Sequence, residues 1–117
     1  MELHEKYPKL FTNHPTFSDC GEGWYPLINT LCAMLSHNVK EEDKFQVEQI
    51  KEKFGTLRFY TNDYTDYQRG LIDLAEAISG TICEECGAPG KRTTGGWIRT
   101  LCDKHAEEFG YYTNEKF

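Results

Sequence analysis

The chain has 117 residues, about one domain's worth, enough for a modest core and short enough to gain from a metal or another cross-link. Apolar residues make up 38% and mean hydropathy is −0.66, yet aromatics reach 14%, so Phe, Tyr and Trp must supply much of the packing. The formal charge of −6 disfavours non-specific binding to a polyanion, and no apolar run approaches the ~20 residues that span a bilayer.

In chain order, the first twenty residues are irregular. Pro8 and Pro15 interrupt them, while Tyr7, Leu10, Phe11 and Phe17 offer apolar anchors, which predicts a short helix or turn docked by those side chains. Trp24, Leu27, Ile28, Leu31 and Leu35 then recur at helical spacing, with Pro26 early enough that its missing N–H does no harm. The first long helix should run to about His37. Between Val39 and Asn62 the pattern turns to alternation: Phe45 with Val47, and Leu57, Phe59 and Thr61 against Arg58 and Tyr60, so two antiparallel strands should meet around Phe54-Gly55. Asn62 to Thr65 reads as a turn. Tyr67, Leu71, Leu74, Ala75 and Ile78 mark a second amphipathic helix that begins near Asp66 and stops at Gly80.

That helix delivers the chain to CEECGAPGKRTTGGWIRTLCDKH. Cys83-x-x-Cys86 followed by Gly87 has the form of a zinc knuckle. Gly95-Gly96 and the alternating Trp97 to Leu101 predict a hairpin, and Cys102 and His105, three apart at a helix start, share one face. Knuckle, hairpin and helix make a treble-clef arrangement in which Cys83, Cys86, Cys102 and His105 would hold tetrahedral Zn2+. Five cysteines are an odd number and no apolar run follows the charged start MELHEKYPKL, so neither a disulfide framework nor a secretory signal is expected. A cytosolic, reduced chain is the setting in which clustered Cys and His bind metal.

Four protein ligands would fill the zinc shell, so a structural rather than catalytic ion is expected. Gly87 to Leu101 contains no His, Asp or Glu, so the nuclease version of the treble clef lacks its general base. No histidine begins the H-x-E motif of a zinc deaminase. Cys20 and Cys32 have His14 and His37 near them in sequence, but a loop cysteine and a buried helix cysteine account for them more simply than a Cys/His nucleophile. No catalytic set can be assembled, and the expectation is a protein without hydrolytic or nuclease activity.

Binding is better provided for. Lys51, Lys53 and Arg58 surround the Phe54-Gly55 turn with Tyr60 on the face of Arg58, and cations beside aromatics can hold a phosphate and stack a base. The Gly87 to Leu101 segment adds Lys91, Arg92, Arg99 and Trp97. Trp24, Lys53, Arg58, Tyr60, Arg92, Trp97 and Arg99 are therefore the candidate ligand groups. For Trp24 and Trp97 core packing competes with this reading, and KEKF with LRFY would also suit a solvated hairpin. The lone Gly21-Glu22-Gly23 lacks the context of a phosphate loop.

Three blocks in order, CGEGWYPLINTLC, IKEKFGTLRFY and CEECGAPG…GWIRTLCDKHA, resemble a group of small, mostly uncharacterised proteins encoded by bacteriophages and prophages. The resemblance covers most of the chain from about Cys20 onward. It implies a bacterial host cytoplasm and an accessory protein acting on the host, including by blocking or sequestering components of antiviral defence.

Together these readings predict a small single α+β domain, with helices packed on a short antiparallel hairpin and a C-terminal treble-clef-like zinc finger. Residues 1–80 would form the helical and hairpin core and residues 81–117 the zinc lobe, in one cooperative unit. The expected function is non-enzymatic binding of a host or defence protein or of an anionic, nucleotide-like signal. The alternative is a nucleic-acid-binding finger with Lys91, Arg92 and Arg99 on phosphates and Trp97 stacking a base.

Overall fold

A computed structural model describes residues 3–12 and 18–111, with Ser18 described by its backbone alone. The chain is an α+β fold of four α-helices, a three-stranded sheet and a separate two-stranded hairpin among these residues. No helix of the described residues is long and apolar enough to cross a membrane.

The N-terminal segment forms α1 (Leu3–Lys6) and a 3-10 turn (Pro8–Leu10). Leu10 and Phe11 are buried as expected of anchors. Tyr7 docks by its hydroxyl, which donates to the Asn29 side-chain oxygen at 2.7 Å. Phe17, the fourth expected anchor, lies outside the described residues. After β1 (Ser18–Asp19) and a 3-10 turn (Glu22–Trp24), α2 (Tyr25–Asn38) buries Ile28, Leu31, Cys32 and Leu35 on one face, the periodicity the sequence carries.

Next, β2 (Val47–Lys53) and β3 (Thr56–Thr61) pair antiparallel through a two-residue turn at Phe54-Gly55. Both turn residues have positive φ, +56° and +86°, which matches the twist that hairpin turns need. Ile50 and Phe59 face each other across the ladder and point into the core, and Lys51 and Arg58 face each other on the opposite side. β1 adds to β2 in parallel, giving the order β1-β2-β3 with α2 in the crossover. Two residues are too short for β1 to show in an alternation pattern, and no strand is expected there from the sequence.

α3 (Asp66–Ser79) opens on a capping box in which Thr65 accepts from the Gln68 N–H and Gln68 accepts from the Thr65 N–H. It packs beside α2 and along the free side of β3. There Ser79 Oγ accepts the Leu57 N–H at 2.8 Å and Glu76 Oε2 accepts the Phe59 N–H at 2.9 Å. The chain ends in a hairpin of β4 (Lys91–Arg92) and β5 (Thr100–Leu101) followed by α4 (Asp103–Glu108). The expected strand from Trp97 to Leu101 is shorter than its alternation implied, because residues 95–97 form a bend and only Thr100 and Leu101 enter the ladder.

Two cores result, a large one spanning α1 to α3 and a small one of Cys83, Leu101 and Ala106. Direct bonds join them. The Trp24 indole N–H donates to the Ile82 carbonyl at 2.8 Å, the Gly23 N–H to the Glu84 carbonyl at 2.7 Å, and the Thr100 hydroxyl to the Gly55 carbonyl at 2.5 Å. A Cβ on Gly23 would lie 2.2 Å from the Cys83 carbonyl oxygen, so this approach of two backbones requires glycine.

Candidate metal centre and ligand cleft

Residues 83–87 turn back on themselves, the Gly87 N–H donating to the Cys83 carbonyl at 2.9 Å. The hairpin then brings Cys102 to the first turn of α4, and His105 follows on the same helix face. The ligand atoms of Cys83, Cys86, Cys102 and His105 all lie within 4.8 Å of one another, as a metal site requires. His105 presents Nδ1, which is 3.3 Å from Cys102 Sγ and 3.7 Å from Cys83 Sγ, and its Nε2 stands 4.0 Å from a Glu108 oxygen. Cys86 Sγ and Cys102 Sγ are 3.8 Å apart, far beyond the ~2.05 Å of a disulfide. Burial raises the Cys83 thiol, but the surrounding backbone N–H groups of Cys102, Cys86 and Glu85 overcome that and bring it down to about 7, which favours the thiolate a metal needs.

Around this turn the structure adds a residue that carries no signal in the sequence. Glu84 is 4% exposed and ties three segments together. Its carboxylate accepts the Gly21 N–H at 2.8 Å and faces Arg99 at 3.4 Å, while its own N–H donates to the Thr100 carbonyl at 2.9 Å. Burial pushes its acidity towards the neutral form, and the Gly21 N–H and Arg99 pull the other way. Nothing in the alternation of CEEC separates Glu84 from its neighbour Glu85; only the fold does.

The hairpin cations are committed. Arg99 bonds to Glu85 at 2.9 Å as well as to Glu84, and its guanidinium lies 5.3 Å from the Trp97 ring and 5.2 Å from the Phe109 ring. Arg92 donates to the Phe54 carbonyl, which ties the hairpin to the β2–β3 turn. Trp97 is 66% exposed and lines a cleft with Asp19, Glu52, Glu84 and Arg99, whose acids outnumber its one cation. Trp24 drops out of the candidate ligand groups, because it has no exposed surface and its indole N–H is bonded within the protein.

Arg58 and Tyr60 stand elsewhere. They line a cleft of about 250 Å³ between β3 and α3, with Tyr64, Arg69, Asp73 and Glu76 on its other sides, and it shares no lining residue with the Trp97 cleft. Arg58 and Trp97 therefore do not converge. Lys53 stays at the turn, its ammonium 5.6 Å from the Phe54 ring. Arg69 is paired with Asp73 at 3.0 Å and donates to the Tyr64 hydroxyl at 2.7 Å. Arg58 has no hydrogen-bond or ion-pair partner among the described residues, and its Nε is buried. Of the four arginines it alone has no such partner among the described residues. The signal in sequence was only the alternation that put it beside Tyr60; Tyr64, Arg69, Asp73 and Glu76 come from across a turn and a helix and carried no motif.

Comparison of the chain with protein-family models, curated proteins and solved structures finds no match.

Proposed function

We propose that this chain is a non-enzymatic binding protein, clamped by a structural zinc ion in a treble-clef-like lobe, that captures a nucleotide-like anion through the cleft at Arg58. The observation that carries it is the uncommitted guanidinium. The Arg58 side chain is half-buried with its Nε buried and unpaired among the described residues, and an unpaired donor of this kind costs about 1–3 kcal/mol unless a water or a ligand satisfies it.

The metal spacing supports zinc. Tetrahedral Zn2+ with bonds of ~2.3 Å to sulfur and ~2.0 Å to nitrogen has S···S edges of ~3.8 Å and S···N edges of ~3.5 Å; one S···S edge here is 3.8 Å, two S···N edges are 3.3 and 3.7 Å, and every edge is within 4.8 Å. Cysteine and histidine are donors that zinc prefers, and four of them leave no position for a reacting water. The ion's work is then to fix the turn, the hairpin and α4 to one another.

If the resemblance of the three sequence blocks to phage and prophage proteins holds, the ligand would come from the bacterial host, including its antiviral defence. The nucleic-acid reading loses support, since Arg92 and Arg99 already hold protein partners. Native mass spectrometry of the protein purified from bacteria tests the proposal. One zinc per chain with a small anionic adduct that Arg58→Ala abolishes is expected; a protein partner retained equally by Arg58→Ala, with no small adduct, would replace it with protein–protein inhibition.

A further inference from the structure

The cleft between β3 and α3 has more chemistry than an anion hole. Arg58 is paired in register with Lys51 on the neighbouring strand, so two cations face each other on one side of the sheet. Like charges directly opposite are unfavourable, and neither side chain has a hydrogen-bond or ion-pair partner among the described residues. Asp19, next in the same row on β1, forms no ion pair with Lys51 either. Arg58 belongs to both places: it shares this face with Lys51 and also lines the cleft at the sheet edge.

Inside the cleft the walls mix aromatic and apolar side chains with charged ones. Tyr60 is 41% exposed with no partner among the described residues, and Tyr64, also on the wall, lies under the Arg69 guanidinium, 5.1 Å from ring centroid to charge. Glu76 uses Oε2 on the Phe59 N–H, and its other oxygen has no partner among the described residues. Arg69 and Asp73 neutralise each other and Arg58 balances Glu76, so the lining itself is neutral, and Lys51 stands beside it on the same sheet face as an additional cation. The cleft of about 250 Å³ falls just below the roughly 300–1,000 Å³ of sites for drug-sized ligands, which leaves room for one ring system.

We infer that this cleft takes a nucleoside monophosphate, with its phosphate on Arg58 and Lys51, its base against Tyr60 and a sugar hydroxyl or base amine donating to Glu76. The inference rests on the Arg58 cleft being the ligand site and adds the class of ligand. A guanidinium fork and an ammonium suit a doubly charged phosphomonoester, and a tyrosine face suits any base. Larger signals such as cyclic dinucleotides present two bases where the cleft has room for one, and they carry phosphodiesters, each with a single charge.

Titration calorimetry on the zinc-loaded full chain separates the possibilities, using AMP, GMP, CMP and UMP against adenosine, inorganic phosphate and a cyclic dinucleotide. At least one mononucleotide should bind on the order of tenfold or more tighter than adenosine or phosphate alone. Arg58→Ala should abolish that binding, and Arg58→Lys should weaken it about tenfold, because the charge survives but the fork does not. Lys104→Ala, a cation lost from the exposed side of α4, should leave it unchanged, and thermal melts of each variant confirm folding. Phosphate binding as tightly as the mononucleotides would overturn the role of the base. A cyclic dinucleotide binding more tightly than any mononucleotide, through Arg58, would overturn the ligand class while leaving the cleft as the site. Absence of binding by every probe, or binding indifferent to Arg58→Ala, would overturn both.

Discussion

The indole N–H of Trp24 and the carbonyl of Ile82 are joined at 2.8 Å across 58 residues of chain, with the ring wholly buried. This bond anchors the start of α2 to the segment that leads into the metal turn. Trp24→Phe keeps most of the apolar volume and leaves the Ile82 carbonyl unpaired. We expect a loss of about 1–3 kcal/mol in urea unfolding followed by circular dichroism. Trp24→Ala should cost more, about 3–5 kcal/mol. A Trp24→Phe protein with an unchanged midpoint would mean that solvent or a shifted backbone takes over the carbonyl.

On the proposal of a structural zinc ion, metal removal should be felt well beyond residues 81–111. The hairpin holds Gly55 through Thr100 and Phe54 through Arg92, so loosening the lobe releases the β2–β3 turn as well. Cys102→Ser should lose the metal and lower the melting temperature of the whole protein in a single transition. A variant that melts at the parental temperature without bound metal would contradict a structural role for the ion.

Two glycines should respond in opposite directions. Gly23→Ala places a Cβ 2.2 Å from the Cys83 oxygen and 2.6 Å from the Gly87 nitrogen, both backbone atoms, and should destabilise by about 2 kcal/mol or more. Gly70, inside α3, has open space where a Cβ would stand, with nothing within 4 Å, so Gly70→Ala should stabilise by about 0.5–1 kcal/mol. Paired urea titrations check both signs, and equal effects would contradict the close approach at Gly23.

Cys32 should make the fold sensitive to alkali. Burial pushes its thiol up from the ordinary 9.0 to about 12, so the folded protein keeps a proton that the unfolded chain releases. The corresponding stability is complete below pH 9 and declines as the pH rises towards 12. Cys32→Ala should flatten that part of the stability–pH curve, and native protein should resist alkylation at this position; parallel curves for the two proteins would refute the effect.

Legibility in the sequence followed how local the cause was. α2 and α3 were readable because their apolar spacing is their reason for existing, and the Cys-x-x-Cys and Cys-x-x-His pairs because each is a local geometry. β1 was not, since two residues pair with β2 only when α2 has returned the chain. Trp24 beside glycines suited either a core or a pocket, with core packing the better reading, and it is buried; what the sequence did not show is that the glycines serve backbone contact with residues 83–87. The Arg58 cleft was half visible: Arg58 and Tyr60 show by alternation, whereas Glu76 and Arg69 reach it by the rotation of α3. Arg99 looked like a free cation because its acidic partners, Glu84 and Glu85, lie 15 and 14 residues away.

The side chains that α3 lays along β3 have a further consequence. With Ser79 and Glu76 holding the Leu57 and Phe59 N–H groups, the outer rim of the sheet offers those donors to no other chain, and the opposite rim is a strand of only two residues. The α3 side therefore withholds two donors from the kind of ladder on which strands of separate molecules stack into fibrils, and β1 covers Ile50 and Lys51 on the other.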